Sequence, residues 1–356
     1  MSKLVLAEYI WLDGVAPTAG LRSKARVVEV ADELSLETFP EWSFDGSSTE
    51  QAAGEDSDCI LRPVRFVADP IRRDGSQIVL CEVLNADHTI HSSNTRAKLR
   101  AALSAGGDKE NPWLGFEQEY TLFKDGRPLG WPEEGEPAAQ GPYYCGNGGS
   151  KVFGRDLVEE HAKACMQAGL MFYGINAEVM PGQWEFQIGY RGVKGEVGDA
   201  LTVTDDMQIA RYLLDRLSEN HGITVSLDNK PIKGDWNGAG MHTNFSTDAT
   251  RNPNGGMQAI HAAVEALAAN HDAHVRNYGH KLDERLTGDH ETCDINTFKS
   301  GVANRGASIR IPRPVEINGY GYLEDRRPGA NSCPYMVAAC LIASICGDEG
   351  LLELVA

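Results

Sequence analysis

The sequence predicts an α+β fold in two parts: a strand-rich segment, then a larger one in which strands and helices are mixed. Three observations carry this expectation. The 356 residues are enough for two domains, each with its own core. Short apolar runs closed by Gly, Pro or Asp crowd the first part and read as strands. The stretch "SAGGDKEN" at 104–111 then has the composition of a linker. The expected domains are therefore 1–103 and 104–356.

In chain order, "LVLAEYIWLDG" (4–14), "ARVVEV" (25–30), "FVADP" (66–70) and "SQIVLCEVL" (76–84) are the strand signals of the first part. "SNTRAKLRAAL" (93–103) reads as a helix with an Asn or Ser cap. Beyond the linker, helices are expected near 155–169, 202–220, 256–277 and 334–346. Residues 124–150 are rich in Gly and Pro and predict a long loop of the kind that carries function or disorder. The longest apolar run, "MVAACLIASIC" (336–346), is too short to cross a bilayer and reads as a buried helix. The N-terminus lacks the apolar core of a secretory signal, so neither membrane nor export is expected.

A net charge of −18 argues against nucleic acid as the main partner, because phosphate backbones need basic surface. ATP is still compatible with it, where metal ions and a few local arginines handle the phosphates. The eight cysteines form no CxxC pair, and a chain this long needs no disulfide staples. Reduced thiols in a cytoplasmic protein are the expectation.

Four stretches carry chemistry. In "NPWLGFEQEYTLF" (111–123) the period of two puts Glu117, Glu119 and Thr121 on one strand face, with the carboxylates roughly 7 Å apart. A solvent-facing acidic face is the ordinary alternative, but the Phe and Trp neighbours favour burial. Buried carboxylates then need a proton, a cation or a metal. In "INAEVMPGQWEFQIG" (175–189) Pro181-Gly182 marks a hairpin turn that brings Glu178 and Glu185 to one end of a pocket. "KGDWNGAGMHTNFS" (233–246) is a Gly-rich loop leading into His242, and "GYLEDRRPGANS" (321–332) sets Glu324 beside Arg326. Five carboxylates and one imidazole suit Mg²⁺ and tolerate Mn²⁺. Arg305, Arg310 and Arg313 of "NRGASIRIPR", with Arg326, form a second cluster, and guanidinium groups bind phosphate or carboxylate through paired hydrogen bonds. Metal-ligand carboxylates beside arginines are what phosphoryl transfer requires, and the absence of GxxxxGK[ST] means that any ATP site is not a P-loop.

Seven motifs in order, "FDGSST", "GFEQEYTLF", "INAEVMPGQWEFQIG", "WNGAGMHTNFST", "LTGDHET", "NRGASIRIPR" and "YLEDRRP", resemble glutamine synthetase of the type II form, from about residue 8 to about 340. The resemblance implies an N-terminal β-grasp domain followed by a larger catalytic domain of antiparallel strands flanked by helices. It implies ATP-dependent joining of ammonia to L-glutamate through a γ-glutamyl phosphate, in nitrogen assimilation or ammonia detoxification. It also implies two or three Mg²⁺ or Mn²⁺ ions per site, and a homo-oligomer, a decamer of two pentameric rings, with active sites between subunits.

Roles follow from the same resemblance. Glu119, Glu178 and Glu185 match ligands of the metal on the glutamate side. Glu117, His242 and Glu324 match those of the metal on the ATP phosphates. Arg305, Arg310 and Arg326 match the groups on the phosphates, and Asn237, Gly238 and Arg285 the glutamate-binding positions. Trp113 and Ser246 match nucleotide contacts. Asp45 matches an aspartate that a neighbouring subunit supplies to bind and deprotonate ammonium, and Glu291 the flap residue that closes the site. The chain departs from the family at Tyr190, where Pro is usual, and across 189–206. Two other readings compete: a γ-glutamyl ligase acting on a different amine, and a non-catalytic homologue that senses nitrogen status.

Overall fold

The computed structural model describes residues 3–139 and 141–347. Strands β1 (Lys3–Leu12), β2 (Leu21–Val30), β3 (Trp42–Asp45), β4 (Asp58–Ala68) and β5 (Gln77–Asn85) form a sheet in the order β2-β1-β5-β4-β3. Only β1 and β5 run parallel within it. The sheet curls until its two edges approach: Lys24 of β2 donates to the Ser43 carbonyl at 2.8 Å and lies 3.5 Å from the Trp42 ring centre. Tyr9, Trp11, Phe44 and Leu61 fill the space inside. β3 and the start of β4 escaped the sequence expectation, because neither shows the apolar run that marked the other strands.

Helix α1 (Thr95–Ser104) begins at Asn94, whose side chain accepts from the Ala97 amide at 3.0 Å. Such a cap contributes about 1 kcal/mol to the helix. The sequence expectation ends the first part at 103. In the structure α1 packs against α8 (Pro334–Ile345), the last helix among the described residues, and its Leu99 and Ala102 lie in the larger core.

The second sheet takes strands from most of the remaining chain. They are β6 (Trp113–Lys124), β7 (Arg127–Pro128), β8 (Phe172–Ala177), β9 (Gln183–Gly189), β10 (Thr224–Ser226), β11 (Met241–Ser246), β12 (Ser300–Val302), β13 (Ile309–Ile311) and β14 (Leu323–Asp325). The main path is β12-β13-β14-β11-β6-β9-β8, and it is antiparallel except at β12–β13. The helices between are α2 (Arg155–Gln167), α3 (Ala200–His221), α4 (Asp248–Arg251), α5 (Gly256–Ala269), α6 (His271–Asn277) and α7 (Arg313–Asn318). α3 packs on β6 and β9 from behind, α2 lies against α3 and β8, and α8 against α3. One face of the sheet is thereby buried under helices and the other is left for the site.

The helix expected over 256–277 is two helices. Asn270 breaks it, with φ −107° and ψ 17°, and its side chain donates to the Ala266 carbonyl at 3.0 Å, competing with the backbone for that acceptor. Among the described residues of the 124–150 stretch, the end of β6 and β7 are the regular parts, and the stretch is tethered to the end of β8 and the turn after it by backbone bonds from Gly141 to Val179 and from Cys145 to Ala177. All eight cysteines are free thiols. Among the described residues no helix is long and apolar enough to cross a membrane.

Candidate active site

Strand register assembles the site. On β6, β9 and β11 the functional side chains stand in cross-strand rows on one sheet face. His242 lies opposite Glu117, and Glu117 opposite Gln187. Two residues along, Glu119 lies opposite Glu185, and Glu185 opposite Asn176. On the other side, Arg310 pairs with Glu324 and Glu324 with Asn244. Directly opposed side chains on antiparallel strands have Cβ atoms about 5 Å apart, so three neighbouring rows concentrate four carboxylates and three amides with a single imidazole. The Pro181-Gly182 turn returns the chain so that Glu178 closes the same cavity, which encloses about 570 Å³.

Ligand atoms of Glu117, His242 and Glu324 lie within 4.8 Å of one another, and so do those of Glu119, Glu185 and His242. The second trio contains His242 where the resemblance implied Glu178. Glu178 lines the same cavity, with Asn176 donating to it at 2.8 Å. The electrostatics are those of a cation site. Burial pushes the Glu119 carboxyl up, against the pull of Arg285. Burial, then the nearby Glu119, raises Glu178 to about 8. Burial and three neighbouring glutamates hold Glu185 well above the usual carboxylate range. Burial, reinforced by Arg326, pushes His242 well below an ordinary imidazole, so it is neutral and free to ligate. Oxygen-rich, mutually repelling groups around one neutral imidazole fit a hard divalent ion.

The arginines occupy the same cavity. Arg310 and Arg326 each reach Glu324 at 2.6 Å. Arg305 is half exposed at the mouth, 3.8 Å from Glu291, and the Arg326 backbone amide donates to Ser308. Glu291 and its neighbour His290 adopt left-handed backbone conformations, φ 61° and 49°, which L residues rarely take. Arg285 is buried and burial lowers it to about 10; it donates to His242 Nε2 at 3.0 Å. The glycines of "NGAG" are required by its approach: a Cβ on Gly238 would lie 2.8 Å from Arg285 Cγ, and one on Gly240 2.3 Å from its Nη2. The Gly240 amide also donates to Glu119. Asn237 and Gly238 line the cavity beside them.

A second cavity of about 480 Å³ adjoins the first, and Glu117 and Gln187 line both. Its walls include Trp113, Tyr190, Tyr173 and Tyr322. Trp113 packs on Tyr190 at 4.8 Å between ring centres, and the Arg251 guanidinium sits 4.5 Å from the Trp113 ring. Ser246 is buried there and accepts from Arg251 at 2.8 Å. Asp45 stands apart. It is exposed on the first domain, held by Ser47 and Ser48 hydroxyls at 2.6 and 2.7 Å, and these bonds hold its carboxyl below the usual range. It lines neither cavity of its own chain.

Sequence reasoning overlooked the amides that hold the carboxylates. Asn176 donates to Glu178, Gln187 to Glu185 at 2.6 Å, and Asn244 to Glu117 at 2.9 Å. Two of these pairs are spaced i and i+2, the signal that singled out Glu117 and Glu119, so period two would have found them.

Residues 3–86 match the family model described as glutamine synthetase, beta-Grasp domain, and residues 92–255 match the one described as glutamine synthetase, catalytic domain. Fold and cavity together thus define a ligase built from a β-grasp domain and a catalytic sheet. The chain belongs to the glutamine synthetase family. It is 54% identical to the chloroplastic glutamine synthetase of Chlamydomonas reinhardtii, over 95% of this chain and 90% of that protein. It is 52% identical to glutamine synthetase of Streptomyces viridochromogenes, over 96% of each. It is 49% identical to that of Saccharomyces cerevisiae, over 96% of this chain and 90% of the relative.

Proposed function

We propose that the chain joins ammonia to L-glutamate at the expense of ATP, through γ-glutamyl phosphate. The observation that carries this reading is the shared wall: an acidic, arginine-lined cavity opens at Glu117 and Gln187 onto an aromatic one. Trp113, Ser246 and Arg251 receive the nucleotide. Arg305, Arg310 and Arg326 receive its phosphates. Asn237, Gly238 and Arg285 receive glutamate, Arg285 being a buried cation that suits a carboxylate.

Glu119, Glu178 and Glu185 hold one divalent ion, and Glu117, His242 and Glu324 another, with Mg²⁺ or Mn²⁺ as the ion. When bound, these ions neutralise phosphate charge and polarise the phosphoryl oxygens. The protein's own groups do the rest. A carboxylate oxygen is a poor leaving group, so the γ-carboxylate of glutamate first attacks the terminal phosphorus and ADP departs. Arginines stabilise the charge on the transferring group. Ammonium must shed a proton before its nitrogen can attack the acyl carbon and expel phosphate. Asp45 of a neighbouring subunit binds it, and Asp45 or Glu291 takes the proton. Glu291, on the loop at the mouth, keeps water from the acyl phosphate. This arrangement requires an oligomer with sites between subunits, and we propose a decamer of two pentameric rings in the cytoplasm, serving nitrogen assimilation or ammonia detoxification.

The test is phosphate release with glutamate, ammonia, ATP and Mg²⁺. Release should need all four, and Asp45→Ala should abolish most of it. Release no greater than in that variant would sink the proposal. Faster turnover of an alkylamine or polyamine than of ammonia would transfer it to a different γ-glutamyl ligase.

A further inference from the structure

A strand that presents Glu117 and Glu119 to a cavity must present the residue between them to the opposite side. That residue is Gln118, fully buried. Its Oε1 accepts from Nε of Arg211 on α3 at 2.9 Å, and from Nη2 as well. Its Nε2 donates to the backbone carbonyls of Glu119 at 2.7 Å and Ala330 at 3.1 Å. Arg211 goes on to donate to the carbonyls of Ala330 at 2.9 Å and Ser332 at 3.0 Å, and its Nη2 lies 3.3 Å from Met241 Sδ. Met241 is the cross-strand partner of Gln118, as His242 is of Glu117.

These bonds of Arg211 go to an amide, two carbonyls and a thioether rather than to a carboxylate. Asp215, one turn further along α3, attracts Arg211 electrostatically but is not among these hydrogen-bond partners. A guanidinium buried this deeply is an expensive way to fill space; an apolar side chain of that size would pack there more cheaply. What the guanidinium offers instead is a planar fork of fixed donor directions. Here the fork ties together the strand of Glu117 and Glu119, the strand of His242 and the turn after Arg326.

We propose that Gln118 and Arg211 are positioning residues that set, from behind the sheet, the spacing of the Glu117, Glu119 and His242 ligand atoms and hence the affinity for a divalent cation. This rests on the metal reading of the front face. Groups that orient metal ligands without touching the ion are worth about 10- to 100-fold in affinity.

The probe is Mn²⁺ alone, bound to the full chain without substrates and followed by the electron paramagnetic resonance signal of the free ion. A thermal melt accompanies each variant. Gln118→Met should weaken Mn²⁺ binding about tenfold at unchanged stoichiometry. In turnover assays the half-saturating Mg²⁺ concentration should rise while kcat at saturating metal moves less than about threefold. A lowered melting temperature with unchanged Mn²⁺ affinity overturns the proposal, because it leaves only a structural role. If Gln118→Met fails to fold, Gln118→Glu decides. It keeps the acceptor for Arg211, loses the two amide donations, and should weaken Mn²⁺ about threefold; unchanged affinity there overturns the proposal too. A wild-type chain that binds no Mn²⁺ overturns the metal reading itself, a result distinct from tight wild-type binding that the variants leave unaltered.

Discussion

Glu119, Glu178 and Glu185 crowd one cavity wall, and without a cation they cannot all be ionised at neutral pH. Burial first, and Glu119 beside it, raise Glu178 to about 8. A carboxyl whose folded value lies above its usual one favours the metal-free fold while it holds its proton. That contribution is complete at acid pH and is lost as pH rises through about 8. A divalent ion needs the carboxylate, so below pH 8 it must displace the proton. For one proton and this value, Mg²⁺ affinity should rise roughly twentyfold between pH 6.5 and 8.5. Calorimetry in two buffers of different ionisation heat should show proton release at the lower pH; equal affinity at both would mean that Glu178 carries no proton there. On the proposed metal reading, Glu119→Gln removes an ion ligand and keeps the shape. It should lower kcat/KM for glutamate about a hundredfold or more, since even groups behind a ligand cost up to that much. Its far-ultraviolet circular dichroism should be that of the parent. Full activity with ordinary metal dependence would mean that Glu119 is not a ligand.

At the scale of elements, alternation does two jobs on every strand of the site. On β14 Glu324 faces the cavity while Asp325 faces away, bonded by Arg327 Nη2 at 2.7 Å and by the Tyr278 hydroxyl at 3.0 Å. Burial alone would raise the Asp325 carboxyl, but Arg327 outweighs it and the net direction is down. Asp325→Asn would strand a buried guanidinium, and breaking such a pair costs about 3–5 kcal/mol. The expected signature is a clear fall in melting temperature with metal affinity retained at low temperature, the reverse of Glu119→Gln. An unshifted melt would show that Arg327 does not depend on its partner. Much of this scale was legible in the sequence. Period two put Glu117 and Glu119 on one face, Pro181-Gly182 announced the β8–β9 hairpin, and Asn94 announced α1. The rows were not legible, because the pairing of β6 with β9 and β11, and of β11 with β14, brings together residues as distant as Glu117 and Glu324, and local pattern carries no register between them. Arg211 was hidden for a related reason: a lone arginine in a helix announces nothing until Gln118 is found under it.

At the scale of the whole molecule, Asp45 stands apart from the cavity it is proposed to serve. It is exposed, its carboxylate is preset by Ser47 and Ser48, and it lines neither cavity of its own chain. If it works in a neighbour's cavity, a working site needs a first domain from one subunit and a catalytic sheet from the next. Head-to-tail contacts of that kind generate a ring where their rotation closes. Two inactive variants should then rescue each other. Asp45→Ala spoils the contribution a subunit makes to its neighbour, and Arg326→Ala spoils the cavity it keeps for itself. Co-expressed in equal amounts and mixed at random, they give a sound site wherever an Arg326→Ala subunit lends Asp45 to an Asp45→Ala subunit, at about a quarter of the interfaces. Activity near a quarter of wild type is the expected result, with each variant alone close to inactive. The measured solution mass should be a multiple of the subunit mass of 38.7 kDa. Absence of rescue in hybrids shown by mass to contain both chains would place Asp45 outside the reaction, and the ammonium step would then fall to Glu291 within a single chain.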